Sequence, residues 1–207
     1  MGPAAQVPLE GLNDIMLLQF RLLQGWLTIF NIYNDCIHQN LLTTICLFMQ
    51  CHSASILASE SDHMMWCGDF NQHHPLWDEE RNGHLLMAGV STTAQPLIAL
   101  LEDFNMVMLL LKGLPMLQSM VTTNWTRVDN VFATHNTEPL VVACNTDPRQ
   151  QGPGTDHVLV LTTLDLKILV AAAAMSHRNF RAADLAEVSP NINGPIGEHP
   201  GSARPAQ

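Results

Sequence analysis

Met64-Met65-Trp66-Cys67-Gly68-Asp69-Phe70-Asn71-Gln72-His73-His74-Pro75 is the stretch on which the fold turns. An apolar run from Met64 to Cys67 meets a glycine, then delivers an acid, an amide and two imidazoles within six positions. This pattern reads as a buried strand stopping at Gly68 that presents polar side chains where a ligand sits. Asp69 and Asn71 are two apart, so an extended chain turns them to one side. A carboxylate and an amide on one face suit the holding of an attacking water and a phosphate oxygen together. An Asx-rich turn closing a strand is the competing reading of the spacing alone.

Working outward, strand patterns recur on both sides. Residues 26–33 are β-branched and aromatic and read as a strand ending at Asn34-Asp35. Residues 39–50 place Leu41, Leu42, Ile45 and Phe48 or Met49 at helical spacing, an amphipathic helix suited to covering a sheet. Residues 15–23 form an apolar run read as a short helix, capped by Asn13 or Asp14 and placed to cover an exposed sheet edge. Downstream, residues 91–104 read as a helix with Pro96 in its first turn. Residues 106–111, 124–126, 128–133, 139–144 and 158–164 read as strands. From about Ser176 the prolines and glycines of a tail begin. This alternation points to an α+β or layered α/β/α domain. The organisation expected is an atypical segment over 1–24, the domain over 25–170 and a flexible tail over 171–207.

Composition narrows the function. With 47% hydrophobic and 14% charged residues, the chain has the makings of a packed core. No apolar run reaches the length of a membrane span, and no basic segment precedes an apolar one at the start, so neither membrane nor secretory signal is expected. Five cysteines without C-x-x-C spacing read as reduced, mostly buried thiols in an intracellular compartment. The net charge of −10 opposes broad affinity for nucleic acid. Any such contact is expected to be local, through basics such as Arg81, Lys112, Arg127 and Arg149 near a divalent cation.

Four segments end strands in polar residues: Tyr33-Asn34-Asp35, Gly68-Asp69-Phe70-Asn71, Arg127-Val128-Asp129-Asn130 and Gly154-Thr155-Asp156-His157. Strand ends are a common place to converge polar groups on one cleft. Asp156 and His157 are adjacent and would face opposite ways on a strand. Their pairing needs a loop conformation, or else His157 reaches another acid.

In this order, Phe30-Asn31-Ile32-Tyr33-Asn34-Asp35, Trp66-Cys67-Gly68-Asp69-Phe70-Asn71, Trp125-Thr126-Arg127-Val128-Asp129-Asn130-Val131 and Gly154-Thr155-Asp156-His157 resemble the endonuclease/exonuclease/phosphatase superfamily. More narrowly they are similar to endonuclease domains of non-LTR retrotransposons, which share His73-His74-Pro75-Leu76-Trp77-Asp78 as well. The likeness covers about residues 26–166, and Arg178 to Ala182 resemble the segment downstream of such domains. It implies a four-layered α/β sandwich that hydrolyses phosphodiesters with a divalent cation, usually Mg2+. DNA is then the partner and the nucleus the place of action. By match, Asp69 would orient or deprotonate the attacking water and Asn71 would hold the scissile phosphate. Tyr33, with Asn34 and Thr126, would contact the substrate. His157 would stabilise the transition state. Asp129 and Asp156 would orient that histidine or serve the metal, with Asp69 and Asp156 as the metal carboxylates.

The resemblance also implies an asparagine on a first strand and a metal-binding glutamate ahead of the tyrosine segment. Only 32 residues precede Tyr33 and none reads as that pair of strands. Glu10, in Pro8-Leu9-Glu10-Gly11, is a poor substitute. The chain is therefore expected to be a 5′-truncated copy with weak or no activity. A dead remnant and a phosphatase on small phosphoesters remain the alternatives. Adjacent histidines rarely reach one ion, so His73 and His74 read as structural or surface residues. Trp66 and Trp77 read as packing.

Overall fold

A computed structural model describes residues 4–7, 14–35, 40–84, 92–118, 125–150 and 154–166. The chain divides into two compact units, Met1–Ala171 and Ala172–Gln207. All described residues belong to the first, so the tail expected over 171–207, Glu10 and Cys36 lie outside them.

The middle of the central sheet is β3 (Trp26–Tyr33) and β4 (His63–Asp69), which run parallel with Leu27 opposite His63 and Tyr33 opposite Asp69. Parallel neighbours need a crossover. Here it is α1 (Asn40–Ile56), which buries Leu41, Leu42, Ile45, Met49 and Ile56. The Asp62 carboxylate pins the start of this unit. Its Oδ1 accepts the Trp26 amide (2.9 Å) and its Oδ2 the Ser59 amide (2.8 Å), tying the foot of β3 to that of β4. A Cβ on Gly25 would stand 2.1 Å from the Ser61 carbonyl oxygen, so only glycine permits this approach.

Residues 15–21, expected to be helical, form the strand β2 (Ile15–Arg21), paired antiparallel along its whole length with β3. A short apolar run fits both periods, and here pairing with a neighbour decides. The hairpin through Gly25 satisfies the backbone of both strands, and Ile15 and Leu17 enter the core while Met16 faces out. Rather than covering a sheet edge, this run is part of the sheet. The edge strand is β1 (Ala4–Val7), on β2.

Beyond β4 lie α2 (Gln95–Asp103), with Pro96 in its first turn, and β5 (Met106–Met108). A small ladder pairs β6 (Leu117–Gln118) with β7 (Trp125–Thr126). Then β8 (Asp129–Thr134) runs antiparallel to β4 and completes a six-stranded sheet in the order β1-β2-β3-β4-β8-β5. The second sheet pairs β9 (Val141–Asp147) with β10 (Leu159–Leu164). Strand β5 is shorter than expected from residues 106–111, and β9 begins later and runs further than 139–144.

The layers arise from alternation along the strands. Phe30, Ile32, Met64 and Trp66 face α1 and α2 and form the larger core with Met49, Leu97 and Phe132. Leu27, Met65, Val131 and Ala133 face the other way, where Cys144, Val160 and Leu164 of the second sheet pack against them. On the outer surface of that sheet, Val142, Leu159 and Leu161 are exposed. Cys46, Cys51, Cys67 and Cys144 are free thiols, Cys51 being exposed. Among the described residues no helix is long and apolar enough to cross a membrane.

Candidate active site

The site grows from the C-terminal end of β4. Gly68 has φ 132°, and a Cβ there would meet the Ile32 carbonyl oxygen at 2.0 Å. Glycine lets β4 lie tight against β3 and reach Asp69 still in register, so the strand runs past the glycine at which it was expected to stop. Asp69 pairs with Tyr33 on one side and with Asp129 on the other. Registered neighbours present their side chains on one face. Tyr33, Asp69 and Asp129 therefore form a row across three strands, on the face turned to the second sheet. The Tyr33 amide donates to the Asp14 carbonyl (2.8 Å), so an acid read from sequence as a helix cap sits beside that row.

His157 arrives from the loop before β10. An isolated bridge to Leu117 and the bond from the Val158 amide to the Met116 carbonyl (2.7 Å) hold this loop. Its Nδ1 lies 2.7 Å from Asp129 Oδ2. The open alternative from the sequence thus resolves: His157 reaches another acid, and that acid is Asp129. Asp156 is exposed and lies outside the group of three formed by Asp69, Asp129 and His157, whose ligating atoms all fall within 4.8 Å of one another. As a carboxylate pair for a cation, Asp69 stands with Asp129 rather than with Asp156. The reason is local. The turn through Gly154 lifts residue 156 into solvent and sends residue 157 inward.

Asn71 has φ 50°, a left-handed turn that asparagine tolerates. Its amide N–H donates to Asp69 Oδ1 (2.9 Å), and its Nδ2 donates to Asp69 Oδ2 (3.1 Å) and to the Asn34 carbonyl (2.7 Å). Two acceptors fix which end of the side chain is nitrogen. Both side-chain hydrogens are engaged, and among the described residues the oxygen meets no donor. Asn34 is buried and acts as a bracket: its amide N–H donates to the Asp69 carbonyl and its Nδ2 to the Phe70 carbonyl, both at 2.8 Å. Tyr33, in contrast, is 54% exposed and is no core residue. Thr126 stands in the β6–β7 ladder, its carbonyl taking the Met116 amide (2.9 Å).

Electrostatics reflect this packing. Burial raises the Asp69 pKa, opposed by the Asn71 hydrogen bonds and by His157 and His73. Burial likewise raises that of Asp129, with the Asp69 charge adding to it and the His157 bond opposing. For His157, burial acts to lower the pKa, but the Asp129 hydrogen bond and the charges of Asp129, Asp69 and Asp156 outweigh it and the value rises. Two carboxylates with raised proton affinity, side by side, suit a hard divalent cation. Mg2+ in particular takes one or two carboxylates and completes its shell with water and phosphate oxygens.

Beside the group, a cleft of about 670 Å³ between the two sheets is lined by Ile29, Met65, Cys67, Asp129, His157 and Val160. Arg127, one of the basics expected to meet nucleic acid, is 1% exposed. Its guanidinium donates to the Leu110, Leu111 and Trp77 carbonyls, which removes it from any surface. Trp66 and Trp77 are buried packing residues, as expected.

A family model described as endonuclease-reverse transcriptase matches residues 27–161. The chain belongs to that family. Its fold is the endonuclease/exonuclease/phosphatase α/β sandwich, as three solved structures illustrate. The endonuclease domain of TRAS1, a telomere-specific non-LTR retrotransposon, is 16% identical with a TM-score of 0.57, over 79% of this chain and 69% of that one. The AP endonuclease LMAP from Leishmania major is 14% identical with a TM-score of 0.61, over 77% of this chain and 60% of its own. The catalytic domain of Xenopus laevis APE2 is 18% identical with a TM-score of 0.53, over 77% and 58%. At such identities the likeness speaks for the fold alone. No curated protein matches the sequence.

Proposed function

We propose that this domain is a DNA-cutting phosphodiesterase of retrotransposon origin that uses Mg2+ and works slowly, in the nucleus. One observation carries the reading: Asp69 at the end of β4, Asp129 at the start of β8 and His157 from the loop before β10 bring their ligating atoms within 4.8 Å of one another. Asp69 and Asp129 would hold the cation. When bound, it offsets the charge that develops on the phosphoryl oxygens.

The chain's own groups supply the rest. Asp69 orients or deprotonates the attacking water. The free Asn71 oxygen accepts a hydrogen bond from that water and so aims it. This differs from the phosphate-holding role expected of Asn71, because its N–H groups already face Asp69 and Asn34. Asp129 takes His157 Nδ1 and leaves Nε2 for a phosphoryl oxygen, and the same bond raises the His157 pKa, which favours the form that donates there. The exposed Tyr33 hydroxyl, in register with Asp69, contacts the phosphate.

A second reading, a scaffold that no longer cuts, is favoured by one feature: among the described residues the group holds two carboxylates and no glutamate. Nicking of supercoiled plasmid separates the two. Slow Mg2+-dependent nicking is expected, lost in Asp69→Ala and reduced by about a hundredfold or more in His157→Ala. Absence of cleavage at every Mg2+ concentration sinks the enzymatic reading and leaves the scaffold.

A further inference from the structure

The loop after β4 holds a second imidazole–carboxylate couple, outside the group of three. His73 stands four residues beyond Asp69, with its Nδ1 3.5 Å from Asp78 Oδ2. Asp78 is 1% exposed. Its Oδ1 accepts the Arg127 amide N–H (3.2 Å), and its Oδ2 also accepts the His74 amide N–H (3.0 Å). The Asp78 amide returns to the His74 carbonyl (3.0 Å) and closes the loop. His73 is therefore tied at both ends to the site. The chain joins it to Asp69, and Asp78 joins it to residue 127, two positions before Asp129.

The neighbouring histidine shows what a structural role looks like in this loop. His74 takes the Leu76 amide on its Nδ1 (3.2 Å) and lies against the Trp77 ring at 5.4 Å between centroids. His73 makes no such bracing contact among those described. Its side chain keeps 30% of its surface open. The two nitrogens of an imidazole sit on opposite flanks, so an Nδ1 turned to Asp78 leaves Nε2 turned away from it. The acids near it are Asp78 on its own loop and Asp69 at the end of β4. His73 also lies near enough to Asp69 to oppose, as the smallest of several influences, the rise that burial imposes on that carboxyl.

We propose that His73 is a substrate-contacting residue whose Nε2–H, held from behind by the buried Asp78, binds a non-bridging phosphate oxygen next to the scissile phosphodiester. This rests on the nuclease reading above. It gives a chain of net charge −10 with a buried Arg127 a local N–H donor for phosphate at the site without a basic surface.

The test is binding of a labelled short DNA duplex by anisotropy at about pH 6, with Ca2+ in place of Mg2+, across about 50 to 200 mM salt. His73→Ala and His73→Gln are expected to weaken binding about tenfold. They are also expected to flatten the log–log salt slope by about one, the signature of a lost phosphate contact. His135→Ala, which removes an exposed histidine paired with Glu138, should change neither quantity. If the wild type binds duplex but both His73 variants, folded by their melting curves, keep its affinity and slope, the assignment of His73 is overturned. If the wild type binds no duplex at all, the nuclease reading falls and takes this assignment with it.

Discussion

The two faces of the six-stranded sheet are made by alternate residues of the same strands, yet they meet opposite demands. On the helix side Phe30, Ile32, Met64 and Trp66 are closed off under α1 and α2, and the Phe30 ring meets Trp66 and Phe48 edge-on at 6.0 and 5.9 Å. On the cleft side, Ile29, Met65 and Cys67 line an open space and give way to Asp69 at the strand end. A shift of one position changes a residue's task from packing to chemistry. The helix side carries stability. The cleft side accepts partly buried carboxylates whose ionised forms cost stability, which a cation can return.

Truncation is the harshest way to probe that contrast. Phe30→Ala should cost about 3–5 kcal/mol by chemical denaturation, whereas Ile29→Ala, one position away and half-buried, should cost about 1–2 kcal/mol. Equal losses would remove the asymmetry. Gly68→Ala comes next, at about 2–3 kcal/mol, because its Cβ would overlap the Ile32 carbonyl. It should also blunt any cation response, since Asp69 is the next residue.

The remaining effects are smaller and belong to the cleft face. Asp129 has a folded pKa above its unfolded one, so its contribution is present below the unfolded value and is lost as pH rises through the folded value. His157 is raised likewise, and its contribution is complete below its usual value of 6.5 and fades as pH passes the folded one. Metal-free protein should therefore melt at a lower temperature at about pH 8 than at about pH 6, and Mg2+ should recover part of the difference. A flat or rising profile between those values would contradict the His157 shift. Asp129→Asn should raise the metal-free melting temperature at neutral pH by a few degrees at most, roughly what 1 kcal/mol is worth at this size. It removes the charge opposite Asp69 and leaves an oxygen for His157. The same change should abolish the gain from Mg2+ and bring the His157 pKa, read by NMR, back down.

The strand at 26–33, the parallel strand after it and the crossover helix between them could be read from sequence because their patterns are local: aromatic and β-branched runs, then apolar residues at helical spacing. The polar strand tips could be read too, since motifs sit where periodic segments stop. Three features escaped. Residues 15–21 fit both helix and strand, and only the hairpin with β3 chose. His157 has a carboxylate beside it in sequence, but the turn at Gly154 sends that neighbour into solvent and brings Asp129, 28 positions away, to 2.7 Å. Arg127 looked available because its charge suggested a surface, whereas three carbonyls from distant loops enclose it.

The sequence by itself determined the order of elements and the kinds of group at their ends, because hydrophobic period and glycine placement act over a few residues. The tertiary structure alone decided which acid holds His157 and which way the Asn71 amide points. Those choices depend on strand register and on hydrogen bonds between segments far apart in the chain, and no local pattern encodes either.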